Sequence, residues 1–375
     1  YNVSQNNRPR CSRFLMTESV DGVQVIRVYV PNVPRKLVLL RGLEHFWLSV
    51  LFSLGALSAE EHDVTLIYSP PLPLGLVGYL LRKLRGTPFV VNIQDLFPKE
   101  AVDLGLLKNP VIIKVFEAIE RFIYTRADSL TVHSPGNKEH VVSRGAKSEK
   151  VHVVPNWVDT EAIKPLEREN SFRTEHRIGN AFVVSFAGTL GFCQDLDVIL
   201  RAAEILKDNK DILWLIVGEG PRKAAAEEKA KRSGLTSNVK FLPMQPREKY
   251  PLVLASSDVC LVALDKSLRT PVVPSRMLSI MASARPVVAL LNRDSDAWRI
   301  VQDAQCGFCL EAGKADLLAQ AILRLYQDKE LRVTMGENGR RYAETYFSRE
   351  ICASKYEQIF RELFATQGQA RGRGR

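Results

Sequence analysis

The stretch TPVVPSRMLSIMASARPVVAL, residues 270–290, sets the reading of the whole chain. Pro274 stiffens the approach to a helix, and Ser275 is of a type that caps one. Arg276 adds a full positive charge where a helix N-terminus already offers free N–H groups and a partial positive charge. The chain then returns to a β-branched, apolar strand beginning at Pro286. A cation and a helix end at the mouth of one strand–helix loop suit a negatively charged ligand such as a diphosphate. An ordinary helix cap is the plainer alternative.

Similar units lie on both sides. AFVVSFAGTLG (181–191) runs from an apolar strand into Gly188 and Gly191. LWLIVGEGP (213–221) ends in Gly218, Glu219 and Gly220. VKFLP (239–243) and VCLVALD (259–265) are further strands, with helical spacing of apolar residues between them. A glycine after a strand lets backbone approach a phosphate closely, or simply makes the turn. In the first half, GVQVIRVYV (22–30), DVTLIYS (63–69) and PFVVNIQD (88–95) read as strands. Helices are expected over 36–59, 73–86 and 110–127. Strands alternate with helices throughout, which predicts an α/β protein of parallel, doubly wound sheets.

A chain of 375 residues exceeds one ordinary core, so two domains are expected. The pattern restarts after the charged segment 166–180, placing the boundary near Pro165. This gives domains 1–165 and 166–347, with a Gly/Arg-rich, disordered tail at 367–375. That tail carries too few arginines to indicate a nucleic-acid partner. Lys+Arg number 52 against 42 Asp+Glu, a net charge of +10, which favours anionic partners or reflects a solvated surface. Of six cysteines only Cys306 and Cys309 are close; with no second pair or spaced His, they read as reduced thiols of a cytoplasmic chain. The opening residues do not read as a signal peptide. The apolar run Phe46–Ala59 is shorter than the roughly 20 residues that span a bilayer. It is either a buried helix or one docked on a membrane surface, with Arg35, Lys36 and Arg41 ahead of it.

The segments NIQDLFPKEAVDLGLL, VHVVPNWVDT, SFAGTLGFCQDLDVILRAA, IVGEGP and VVPSRMLSIMASARPVVA occur in this order. Together they resemble the family 4 glycosyltransferases of GT-B fold, particularly the fucosamine-transferase-like subgroup of O-antigen and capsule assembly. The resemblance covers about residues 14–365. It implies two Rossmann-like domains facing across a cleft, the first for the acceptor and the second for a nucleotide-sugar. A C-terminal helix, about 348–366, would pack back on the first domain. The implied reaction is retaining and metal-free, without a cofactor beyond the donor, a UDP-sugar being favoured. The implied acceptor is a hydroxyl on a glycan or polyprenyl-linked molecule at the inner face of the plasma membrane.

Carried over by position, Gly188, Thr189, Gly191, Gly218 and Glu219 belong to the donor loops. Gln194 stands where many members have a phosphate-binding Lys. Pro274, Ser275 and Arg276 match a Pro-Ser-Lys that leads the phosphate-binding helix. Base and ribose would meet the backbone around Leu242 and the position of Ser279. Asp95 would orient or deprotonate the acceptor hydroxyl; a helix-capping role is the alternative. Some relatives have His where Gln94 falls. Lys99, Glu100 and Asp103 are expected at the surface. Asp294-Ser295-Asp296 imitates the metal-binding DxD of the other transferase fold, and is expected to be solvated.

This chain departs from the family twice. Pro271 and Ser279 replace two glutamates, so no carboxylate meets the sugar and ribose there. The family pattern also begins with a strand, a glycine-bearing loop and a helix, roughly 40 or more residues that are expected to be missing here. A non-catalytic nucleotide or glycan binder is therefore the second reading. A nucleotide-sugar 2-epimerase, which shares the fold, is disfavoured because none of the six His lies in the donor loops.

Overall fold

The computed structural model describes residues 14–31 and 38–372, with side chains omitted for residues 38–43, 45 and 367–372. Arg35 and Lys36 lie outside the described residues, as does the side chain of Arg41.

The first domain opens with β1 (Leu15–Val20) and β2 (Val23–Val28), paired antiparallel. Asp21 and Gly22 both take positive φ, 49° and 80°, the geometry of a two-residue hairpin turn. Segment 22–30 is thus half of a separate hairpin, outside the expected parallel array. Alternation alone cannot tell an antiparallel strand from a parallel one; the Asp-Gly turn carried that information. Next come α1 (Val38–Ser58), β3 (Thr65–Ser69), α2 (Gly75–Arg85), β4 (Phe89–Ile93), α3 (Lys99–Asp103), α4 (Pro110–Arg126), β5 (Ser129–Val132), α5 (Pro135–Ser143) and β6 (Val151–Val153). Strands β3-β4-β5-β6 form a parallel sheet in sequence order. The central strand β4 is buried along its length, as its unbroken apolar run requires.

The second domain contains α6 (Ser171–Glu175), β7 (Phe182–Ala187), α7 (Leu196–Ile205), β8 (Ile212–Val217), α8 (Lys223–Arg232), β9 (Val239–Leu242), α9 (Tyr250–Ala255), β10 (Val259–Ala263), α10 (Ser275–Ala282), β11 (Val287–Leu291), α11 (Asp296–Ala304), β12 (Gly307–Glu311), α12 (Ala315–Gln327) and α13 (Lys329–Tyr346). Its six parallel strands run in the order β12-β11-β10-β7-β8-β9. The order reverses between β7 and β10, and a crevice opens beyond the C-terminal ends of strands at such a switch point. Trp214, Phe186 and Leu261 fill one face of the sheet against α7 and α12. Met277, Leu278 and Val262 fill the other.

The last helix, α14 (Arg349–Gly372), returns to the first domain. Cys352 and Ile359 pack on Val90 and Val154, and the Tyr356 hydroxyl accepts a hydrogen bond from Asn92. The helix runs through Gly372, beyond the expected start of a disordered tail at 367.

Candidate active site in the interdomain cleft

A cavity of about 770 Å³ lies between the domains at the β7/β10 switch point. Its second-domain wall is built from two loops. The first leaves β7 through Gly188, whose φ of +134° is open to glycine but not to other residues. A Cβ there would also meet Arg276 Nη2 at 3.1 Å. The second loop leaves β10 and enters α10 at Pro274 and Ser275.

Arg276 joins these loops. Its guanidinium lies 4.0 Å over the Phe186 ring, and Nη2 donates to Thr189 O at 3.0 Å. Nη1 is buried with no hydrogen-bond partner. Burial lowers the Arg276 pKa to about 10, so the group remains a cation at neutral pH. A buried charge left uncompensated is costly, and the free α10 N-terminus beside it adds to the positive potential. The arrangement suits an anion. Ser275 does not cap the helix as expected: it is already the first helical residue, it is exposed, and no side chain caps this end. Met277 N donates to Pro274 O at 2.9 Å, and the N–H groups of Ser275 and Arg276 ahead of it stay available.

Gln194 is buried beside this wall, its Nε2 on Cys193 Sγ at 3.1 Å and its Oε1 without a partner. Ser279 lines the cavity one turn along α10, near Tyr250. Burial pushes the Tyr250 phenol up to about 12, so it stays protonated. Gly191, Gly218, Glu219 and Leu242 do not line the cavity. Gly218 is a packing glycine: a Cβ there would sit 1.9 Å from Gly188 O. Glu219 pairs with Lys223 at 2.7 Å, and Leu242 is buried in the core.

From the first domain, Asp95 opens into the cavity just beyond β4. Burial by the cleft walls raises its pKa. It caps no helix, since α3 begins after Pro98 with no side-chain cap. Glu100 is not the surface residue that was expected. It lines the same cavity, accepts from Leu96 N at 3.1 Å, and is raised to about 7, chiefly by burial and then by the Asp95 charge. Sequence reasoning also missed Trp157, which is 48% exposed, Asp159, Arg247 and Tyr250. Only the tertiary fold brings these together.

Hydrogen bonds tie the domains beside the cleft, among them Ser134 Oγ to Pro271 O at 3.4 Å. Asp103 Oδ2 accepts from Arg269 N at 3.0 Å. Asp296 Oδ2 accepts from Gly136 N at 2.8 Å. Asp296 is 4% exposed, so the solvated reading of 294–296 is wrong for this residue: it docks against the N-terminal turn of α5. Among the described residues no group of three or more His, Cys, Asp or Glu could hold a metal. Cys306 and Cys309 are free thiols, both pushed up to about 12 by burial. A larger hollow of about 1330 Å³ opens at the opposite end of β7 and β10. Of its arginines, Arg168 holds Asp258 and Ala181 O, Arg340 holds the carbonyls of Thr160, Ile163 and Ala282, and Arg285 reaches Leu166 O while its Nε has no partner.

Residues 167–342 match the family model "Glycosyl transferases group 1", and residues 3–157 match "Glycosyl transferase 4-like domain". The chain is 27% identical to the putative colanic acid biosynthesis glycosyl transferase WcaI of Escherichia coli, over 72% of this chain and 67% of that protein. It is 26% identical to the probable glycosyltransferase WbjE of Pseudomonas aeruginosa, over 78% of this chain and 73% of that one. Among solved structures, the sucrose-phosphate synthase of Thermosynechococcus elongatus superposes with a TM-score of 0.77 at 19% identity, covering 96% of this chain and 87% of that one. Anabaena HepE in complex with UDP and glucose superposes at 0.70 with 18% identity, covering 84% and 82%. Two family models that together cover both domains, and a fold shared with these structures, identify the chain as a glycosyltransferase of the group 1 family with the GT-B fold.

Proposed function

We propose that the chain is a retaining glycosyltransferase that moves a sugar from a nucleotide-diphosphate-sugar, a UDP-sugar being favoured, to a hydroxyl of a glycan or lipid-linked acceptor in surface polysaccharide synthesis. The observation that carries this reading is the Arg276 guanidinium, whose Nη1 is buried without a partner, beside an α10 N-terminus that no side chain caps. A donor diphosphate fits there, with Ser275, Thr189 and Gln194 around it and Ser279 toward the ribose. As the bond to the sugar breaks, negative charge grows on the leaving diphosphate, and a fixed cation and helix end stabilise that charge more than the ground state. Asp95 faces the donor loops across the cleft and takes or orients the acceptor proton. The reaction proposed needs no metal.

The colanic acid relative supports a role in surface polysaccharide; the subgroup proposed, fucosamine-transferase-like, rests on the resemblance of the motifs. HepE bound to UDP-glucose supports a UDP-sugar. An acceptor held at the membrane suits the exposed Trp47, Val50 and Leu54 of α1, which form part of an apolar surface. Among the described residues no helix is long and apolar enough to cross a membrane, so the contact proposed is peripheral, at the cytoplasmic face.

Calorimetric titration with UDP and GDP tests the donor site. UDP is expected to bind in the micromolar range, and Arg276→Ala to weaken it by about tenfold, roughly 1.4 kcal/mol. Equal binding by the folded variant moves the diphosphate elsewhere. Binding without turnover of any sugar favours the non-catalytic binder.

A further inference from the structure

The segment VHVVPNWVDT closes the first domain and opens the crossing to the second, and the diphosphate site makes no use of its Trp157. That residue is 48% exposed, although the chain on both sides of it is fixed. Ahead of it, Val154 is buried and its N–H donates to Val132 O at 2.8 Å. Behind it, Val158 N donates to Phe347 O at 2.8 Å, and the Val158 side chain is buried in the second-domain core with Leu254 and Met277. Asp159 then accepts from Ala162 N at 3.0 Å and holds Arg349 at 2.9 Å. The indole opens into the cleft cavity, and among the described residues no hydrogen bond, ring stack or cation engages it. A large aromatic face, held rigid and left bare in a cavity, is preorganised to stack on a flat ligand group at little cost in entropy.

What stacks there follows from the neighbours. From Arg276 the cavity passes Ser279, one turn along α10, and Tyr250, which meets Ser279 and feels the Arg276 charge. Tyr250 joins Val158 in one core cluster. Just before Tyr250, Arg247 opens a single 3-10 turn (Arg247–Lys249) and lines the cavity together with Met244, itself 42% exposed. The Arg247 guanidinium has no hydrogen bond or ion pair among the described residues, and its charge is felt by Asp159, close beyond Trp157. We propose that Trp157 is the stacking platform for the nucleobase of the donor, and that Arg247 reads the carbonyl edge of that base, so that these two residues set which nucleotide the site takes. The assignment rests on the donor reading of the same cleft: a diphosphate at Arg276 and a ribose at Ser279 direct the base toward Tyr250, Arg247 and Trp157. Leu242, buried in the core, is left out of that path. An arginine only donates hydrogen bonds. It pairs with O4 of uracil or with O6 and N7 of guanine, whereas cytosine and adenine turn an amino donor toward it. The ring accepts any base, and the arginine supplies the choice.

The test is calorimetric titration of the full chain with UDP, GDP, CDP, ADP and inorganic pyrophosphate. The variants are Trp157→Leu, Trp157→Phe and Arg247→Gln, each shown to be folded by circular dichroism. UDP or GDP is expected to bind about tenfold or more tightly than CDP and ADP. Trp157→Leu should weaken that nucleotide about tenfold or more and leave pyrophosphate unchanged, and Trp157→Phe should recover most of the loss. Arg247→Gln should bring the four nucleotides to within about threefold of one another. The favoured nucleotide should also quench the tryptophan fluorescence of the native protein, and the quenching should vanish in Trp157→Phe although binding persists. Unchanged nucleotide affinity in folded Trp157→Leu overturns the platform, as does a loss that pyrophosphate shares. Native affinities that do not separate carbonyl from amino bases overturn the role of Arg247. Nucleotides that bind no more tightly than pyrophosphate overturn the base site and leave the diphosphate site standing. If neither the nucleotides nor pyrophosphate bind the folded native chain, the donor reading falls, and this assignment with it.

Discussion

Glu100 makes the stability of the fold depend on pH. In the unfolded chain it ionises near its ordinary value of 4.5, and in the native cleft near 7. Below pH 4.5 both states hold the proton and nothing is lost. As pH rises from 4.5 to 7 the unfolded chain ionises first, so the native state loses stability, and the loss is complete above 7. Its size is on the order of 3 kcal/mol. Glu100→Gln should therefore raise the melting temperature at pH 8 and leave it nearly unchanged near pH 4, a pattern that thermal denaturation at the two pH values reads directly. His133, 7% exposed, acts at the acid side: burial lowers it to about 4, so stability falls as pH drops from 6.5 toward 4. Neither group announced itself in the sequence. Arg276 did, because its place at a helix start follows from neighbours in the chain, a proline, a serine and an apolar run. Glu100 draws its character from Asp95, Thr270 and the cleft walls, and Asp296 from Gly136, a contact 160 residues away along the chain. Local pattern reports on helix ends and strand ends; it does not report on what another domain brings near.

The elements that place the site depend on backbone-to-backbone contact. The loops after β7 and β8 are laced together: Gly188 N donates to Val217 O, and Leu190 N to Glu219 O, each at 2.9 Å. Gly218 is present because the Gly188 carbonyl occupies the place of a Cβ. Gly218→Ala is thus expected to destabilise the second domain by about 2 kcal/mol or more and to displace the donor loop. Urea denaturation of the variant checks the first effect and UDP titration the second. The glycines of this loop were legible as special positions, while their division between ligand approach and loop packing was not, since both demand the missing side chain. The β1–β2 hairpin shows a related limit. Its alternating residues fit either kind of pairing, and the turn at Asp21–Gly22 settled the matter.

At the scale of the whole molecule, inter-domain hydrogen bonds border the cleft. Asp296 on Gly136 and Asp103 on Arg269 hold the domains together at one side. A Cβ on Gly136 would meet Asp296 Oδ2 at 2.7 Å and Pro271 Cβ at 2.7 Å, so this seam closes only on glycine. Gly136→Ala is expected to open the cleft, increase the radius of gyration in small-angle X-ray scattering, and lower kcat/KM about tenfold or more, because Asp95 and Arg276 then stand too far apart for one substrate. Unchanged scattering would show that the seam does not govern domain spacing. The two-domain plan and parallel sheets were readable from alternating strands and helices, whereas this seam depends on the relative pose of two independently patterned units.

The last helix carries a consequence for how the protein is made. Val90 and Val154 belong to the first half of the chain, yet they are covered by Cys352 and Ile359 from α14. During synthesis the first domain emerges long before that helix does. Its sheet can pair, but one face of β4 and the segment after β6 stay uncovered until the ribosome has finished the second domain and begun to release α14. The first domain is completed last, although it is translated first, and the cover over Val90 and Val154 is absent from any nascent chain that stops short of Ile359.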